Sequence, residues 1–273
     1  MKIEKISESK QTKVKALIMG DSGSGKSYLM GTAPNPLIIL TEPNGAMSIL
    51  ASNPDTKKVD ANNLTDLFKI LIALENDEIK ETFETIVIDS LSALQKQFID
   101  YIRKDKDTLT QLDYGKLSTQ MDALIRRFIA LPYHIVFTTL IKVEADEQQI
   151  RHMYPDLTGS MRYSVQQYFS GVGYLYQTGL RNEDGTSQRA LLLDGQQNIK
   201  SKAFPNTTGI LRDPNLAELF NSVCAFTNPP PPKPKRKRAP RKAKAQAQPK
   251  TAPQAPAKKD PWHGPSDSLF GGE

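Results

Sequence analysis

Eight consecutive residues near the amino terminus, Gly20-Asp21-Ser22-Gly23-Ser24-Gly25-Lys26-Ser27, fill the pattern G-x-x-x-x-G-K-[ST] completely. The run before it, Val14 to Met19 (VKALIM), is short and mostly apolar and predicts a buried strand feeding a glycine-rich loop. Lys26 to Met30 then opens a helix, which Pro34 and Pro36 must end. A chance glycine-rich turn does not account for a strand before the motif and a helix after it. Each position has a physical use. Glycines let the backbone wrap closely around phosphate oxygens with N–H groups pointing inward, and the helix start adds its positive dipole end. Lys26 is expected to reach β- and γ-phosphates, and the Ser27 hydroxyl to ligate Mg²⁺. Gly20, Asp21, Ser22, Gly23, Ser24, Gly25, Lys26 and Ser27 are thus the candidate nucleotide-binding residues.

The rest of the chain supplies the sheet such a loop needs. Leu37 to Leu40 (LIIL), Thr85 to Asp89 (TIVID) and Ile135 to Leu140 (IVFTTL) are short, continuous, apolar or β-branched runs. Helical spacing separates them at Leu64 to Leu74, with Asn63 or Thr65 as a cap, at Leu91 to Ile102 and at Leu117 to Leu131. That alternation predicts an α/β fold, a mainly parallel sheet covered by helices on both faces. After about residue 170 the pattern changes. Gly173 to Thr178, Arg189 to Leu193 and Ile199 to Phe204 read as shorter antiparallel strands, the first two joined by the turn Asn182-Glu183-Asp184-Gly185. A last helix, Leu216 to Val223, closes the core.

Three further positions fall at the carboxyl tips of strands, where ligands bind in parallel sheets. Asp89 ends TIVID and is the candidate holder of the Mg²⁺ water shell opposite Ser27; its alternative use is to cap the next helix. Glu42 follows the second strand. It is either the carboxylate that polarises an attacking water or an ordinary loop carboxylate. Thr138, with Thr139, is either a hydrogen-bond donor to the γ-phosphate or the water, or a threonine that simply favours a strand.

Charge divides the chain in two. Residues 227–273 hold 11 Lys and Arg against 3 acidic residues, a surplus of eight, whereas the whole chain is +6; residues 1–226 are left at −2. The segment opens with Pro229 to Pro232 and continues KPKRKRAPRKAKAQAQPK. Too poor in apolar residues to offset the entropy of ordering, it is expected to be a disordered tail, 227–273, appended to one domain, 1–226. Lys233, Lys235, Arg236, Lys237, Arg238, Arg241, Lys242 and Lys244 lie within a dozen residues, a cluster suited to nucleic-acid phosphates without sequence preference. At the tip, Trp262, Leu269 and Phe270 stand among Asp260, Asp267 and Glu273, a composition suited to docking a partner such as a single-strand-binding protein or another replication protein. The single cysteine, Cys224, allows no intramolecular disulfide. The first ten residues lack the apolar core of a signal peptide, and no apolar stretch approaches a membrane span. These features predict a cytoplasmic protein with no membrane role.

The chain resembles the RecA-like ATPases, and more narrowly the short RecA-like proteins of bacteriophages, some of which act in single-strand annealing and recombination. LIILTEP places Glu42 where RecA-type proteins carry a catalytic glutamate. VIDSLSAL (Val87 to Leu94) is similar to their strand-Asp-Ser-helix segment. IVFTTLI (Ile135 to Ile141) resembles the strand leading to a DNA-binding loop, with Thr138-Thr139 in place of Asn-Gln. Lys200-Ser201-Lys202 is similar to a Lys-x-Lys pair that reaches the nucleotide of a neighbouring subunit. The resemblance covers about residues 14–225. It implies Mg²⁺-dependent ATP hydrolysis with Glu42, Lys26, Thr138 and Lys202 as the catalytic set, a homo-oligomer, DNA recombination or annealing, and the cytoplasm of a bacterial host. It also implies single-stranded DNA on two loops, Lys104 to Gly115 and Lys142 to Arg162. The second is long for a compact domain; it carries Arg151, His152, Tyr154 and Arg162, interleaved with Glu144, Asp146, Glu147 and Asp156. No N-K-x-D guanine motif stands in the expected place, so ATP is the default nucleotide. The absence of LSGGQ and of an arginine-rich lid argues against transporter ATPases and small kinases. A nucleotide-dependent switch or assembly factor that recruits partners through its tail is the alternative.

Overall fold

The computed structural model describes residues 13–227 apart from 43, 44, 80, 105, 107, 196, 197 and 208. The expected tail beyond Thr227, with its basic cluster and its aromatic tip, lies outside these residues; Thr227 itself ends a helix. Strands β1 (Lys15–Met19), β2 (Pro36–Leu40), β3 (Lys57–Asp60), β4 (Thr85–Asp89) and β5 (His134–Thr139) run parallel in one sheet. Strand β8 (Gly171–Arg181) pairs parallel with β1 over its first half, then antiparallel with β9 (Ser187–Leu192), which pairs with β10 (Ile210–Arg212). The order across the sheet is β10-β9-β8-β1-β5-β4-β2-β3. The fold is therefore α/β, mainly parallel, with an antiparallel edge.

Two helical layers cover it. Alternate residues of each central strand face opposite ways, so Leu17 and Met19 join one core while Ala16 and Ile18 join the other. The first core is closed by α3 (Leu64–Glu75), α4 (Leu91–Arg103) and α5 (Gln111–Ala130). The second is closed by α1 (Lys26–Met30), α2 (Ala46–Ser52) and α7 (Leu216–Thr227). Burial on both faces is the reason the central strands read as unbroken apolar runs. The helices start where their caps dictate: the Asn63 side chain accepts from Asp66 N–H, the Ser90 hydroxyl from Ala93 N–H, and Thr110 with Asp113 forms a capping box. Among the described residues no helix is long and apolar enough to cross a membrane.

Three expectations are corrected. The segment expected as a second DNA loop is largely ordered as a separate two-stranded hairpin, β6 (Ile141–Ala145) with β7 (Arg151–Pro155), followed by α6 (Met161–Ser164). Its mixed polar sequence conceals the strands because the hairpin stands outside the main sheet and is mostly exposed or half-buried, so it writes no unbroken apolar run. The segment expected as a first loop, from Lys104, is cut short because α5 begins at Gln111 on its capping box. Ile199 to Phe204 forms no strand; it makes only isolated bridges, Met153 with Ile199 and Val172 with Lys202. The third antiparallel strand is β10 instead.

Candidate nucleotide-binding site

Register brings the carboxyl tips of the parallel strands together. Met19 lies beside Thr139, Leu40 beside Asp89 and Ile88 beside Phe137. Residues 20 to 27, Glu42, Asp89 and Thr138 therefore gather at one edge. The helices leaving β1 and β4, the strands on either side of β5, go to opposite faces of the sheet, which opens a crevice over the carboxyl end of β5. A cavity of about 440 Å³ occupies it, lined by Gly23, Lys26, Ser27, Glu42, Asp89 and Arg189 among others.

Inside the loop the Lys26 ammonium donates to the Gly20 carbonyl at 2.9 Å and the Asp21 carbonyl at 2.7 Å. Burial pulls its pKa below the ordinary lysine range, opposed by the negative charge of Asp89 and then of Asp21 and Glu42. Ser27 Oγ donates to Asp89 Oδ2 at 2.7 Å, and Thr138 Oγ donates to Asp89 Oδ1 at 2.5 Å. Asp89 is thereby fixed by two hydroxyls, one from the loop and one from the neighbouring strand. Thr138, fully buried, stands behind Asp89 and spends its hydroxyl proton there. The Asp89–Ser90 peptide is cis.

Glu42 is exposed at the cavity rim. Its Oε1 accepts from Ser90 Oγ at 2.7 Å, and the same Ser90 Oγ caps α4. Ser90 is held in turn by Thr41, whose Oγ accepts from the Ser90 N–H at 2.8 Å and donates to the Ser90 carbonyl at 2.9 Å. Ser90 and Thr41 are site residues that the sequence reading passed over. The signal present, Ser after the strand-end Asp, was legible only as a helix cap.

Lys202 is not part of this constellation. It bridges Val172 at the amino end of β8, the edge opposite the loop, and its ammonium donates to the Phe169 carbonyl at 2.7 Å. Around the hairpin, Arg162 of α6 pairs with Glu144 and His152 Nε2 lies 2.8 Å from Asp146, while Arg151 is exposed.

The oxygen donors fit a hard cation. A serine hydroxyl and a carboxylate are suited to Mg²⁺, and the described residues hold no cluster of three or more His, Cys, Asp or Glu that would cage a metal alone. A Mg²⁺ ion here would complete its shell with water and with the phosphate oxygens of a nucleotide.

A glycine-rich loop between β1 and α1, with a hydroxyl-bound aspartate at the tip of β4, defines a P-loop ATPase-type domain. A family model described as an AAA domain matches residues 12–203. That match spans most of the chain, and the protein belongs to this family. A search of curated proteins gives no match.

Proposed function

We propose that this domain is a RecA-like ATPase that hydrolyses ATP with Mg²⁺, binds single-stranded DNA and assists recombination or annealing, as some of the short phage proteins it resembles do. In this reading Lys26 and the loop N–H groups hold the triphosphate. Glu42 holds and polarises the water: Ser90 satisfies one carboxylate oxygen and leaves the other to accept a proton. Bound Mg²⁺ supplies neutralisation of charge on the β- and γ-phosphates. A homo-oligomer in which Lys202 serves a neighbour's nucleotide is part of the proposal, and its position away from its own P-loop supports acting outside its own site.

The observation that carries the DNA part is a hydrogen-bonded link from the hydrolytic edge to the hairpin. Two residues after Ser90 on α4, Ser92 Oγ lies 2.9 Å from Thr139 Oγ, accepts from the Leu140 N–H at 3.1 Å and donates to the Asp156 carbonyl at 3.2 Å. Gln95 on the same helix accepts from the Thr158 N–H at 3.0 Å. Leu140 and Asp156 flank the hairpin, so a shift at Glu42–Ser90 and a load on the hairpin act on one helix. Exposed Arg151, and Tyr163 at 58% exposure, offer a cation and a ring to a single strand. The test is ATP turnover by the full chain with and without single-stranded DNA. DNA-stimulated turnover is the expected result; slow turnover indifferent to DNA would favour a nucleotide switch that works through its tail.

A further inference from the structure

Arg189 lies in the middle of β9, and its backbone is clamped by Asp213: the Arg189 N–H donates to Asp213 Oδ1 at 3.0 Å, and the Asp213 N–H donates to the Arg189 carbonyl at 2.7 Å. The side chain crosses toward the phosphate loop. Its guanidinium carbon sits over the Tyr28 ring, 4.3 Å from the centroid. It passes so close to Gly25 that a Cβ there would overlap Arg189 Nε, so Gly25 serves twice: its φ of +95° suits glycine, and its missing side chain leaves room for the arginine.

The guanidinium makes no hydrogen bond or ion pair with any described residue, and its Nε is sealed from solvent without a partner. This is not for lack of carboxylates nearby. Asp213 and Asp184 line an adjoining cavity with Arg189, but one Asp213 oxygen is spent on the arginine's own backbone and Asp184 accepts from Thr186. A buried, unused donor is costly. Stacking on an aromatic face leaves the in-plane N–H groups free, and a planar fork of such donors matches phosphate oxygens.

We propose that Arg189 is a second cation of the nucleotide site, binding the α- and β-phosphates through its guanidinium fork while Tyr28 supports its face. The assignment rests on the ATPase reading above. Its place along the polyphosphate follows from its neighbours. In a P-loop the backbone cradles the α- and β-phosphates and the lysine reaches the β- and γ-phosphates. Arg189 touches the backbone at Gly25 and the residue after Ser27, and it takes no part in the Asp89–Thr138 or Glu42–Ser90 bonds.

The experiment is calorimetric titration of the full chain with ADP and with ATP, for wild type, Arg189→Gln and Arg189→Lys. Glutamine keeps the aliphatic stem on Tyr28 and loses the charge; lysine keeps the charge and loses the fork. Arg189→Gln is expected to weaken both nucleotides alike, by about 10- to 100-fold, and Arg189→Lys by about threefold or more. Thermal unfolding without nucleotide checks the fold, and should the glutamine variant fail it, the lysine variant decides. Wild-type affinity in the folded variants overturns the assignment and leaves the ATPase reading standing. A loss confined to ATP moves the arginine to the γ-phosphate and overturns the α/β assignment. A wild type that binds neither nucleotide overturns both readings.

Discussion

Ser27 and Asp89, 62 residues apart in the chain, share a 2.7 Å hydrogen bond in which the serine donates to Oδ2. The other oxygen is taken by Thr138, so the carboxylate is aimed before any ligand arrives. Asp89→Asn keeps the shape but replaces one acceptor with a donor facing a hydroxyl. The Mg²⁺ concentration for half-maximal turnover is expected to rise by about tenfold or more, with a similar direction for Ser27→Ala. A metal titration identical to wild type would remove Asp89 from the site.

Lys26→Ala should abolish nucleotide binding or hydrolysis. The buried ammonium, bonded to the Gly20 and Asp21 carbonyls, is the lysine of the loop, and alanine leaves the phosphate charge without it. Filter-binding and turnover assays check this; wild-type turnover in the variant defeats the P-loop assignment.

Glu42→Gln is expected to cut turnover about 10²-fold and leave ATP affinity within about twofold, because the side chain keeps its size and loses its basicity. Ser90 gives a second handle. Its hydroxyl both donates to Glu42 and caps α4. Ser90→Ala should lower turnover and also cost about 1 kcal/mol of stability, whereas Ser90→Thr should retain most of both. An affinity loss in Glu42→Gln with unchanged turnover would make Glu42 structural.

His134 makes stability depend on pH. Its Nδ1 accepts from the Val14 N–H at 2.9 Å, its ring stacks on Phe220 at 4.8 Å, and burial, with Lys13 and Lys15 nearby, lowers its pKa to about 4. The unfolded chain takes up that proton near pH 6.5, the folded protein only near pH 4. The contribution is therefore complete above pH 6.5 and lost as pH falls toward 4, with about 1 to 1.5 kcal/mol gone by pH 5.5. Urea unfolding at pH 7.5 and 5.5 should show a smaller drop for His134→Gln, which lacks the titrating ring. Equal drops in both proteins would dismiss the effect.

Ending the chain at Phe226 removes the basic cluster of residues 233–244. The domain should keep its thermal stability and its DNA-free turnover, while single-stranded DNA binding weakens and its salt dependence flattens by about 0.7 ion per lost phosphate contact. Residual DNA stimulation should then fall further with Arg151→Ala in the hairpin. Affinity and salt slope unchanged by the truncation would assign the DNA to the hairpin and the tail to other partners.

The sequence by itself determined the parts that local chemistry writes down. Gly20 to Ser27 is legible because every residue in it answers to a phosphate. The strands ending at Met19, Leu40 and Asp89 are legible because burial on both faces demands unbroken apolar runs. Where that demand is relaxed the reading fails. Lys57–Asp60 is an edge strand whose lysines and aspartate are exposed, so it shows no apolar run, and the hairpin of β6 and β7 stands outside the main sheet. Ala46–Ser52 buries Ile49 alone and gives no helical stripe.

Only the tertiary structure decided which side chains meet. Strand order and register bring Thr138 to Asp89, Ser90 to Glu42 and Arg189 to Gly25, pairs separated by dozens of residues or more. They also leave Lys202 at the opposite edge of the sheet. Motif spacing fixes chemistry along one turn of chain. A hydrogen bond across the sheet depends on how the strands are ordered and aligned, and that is set by the packing of the whole domain.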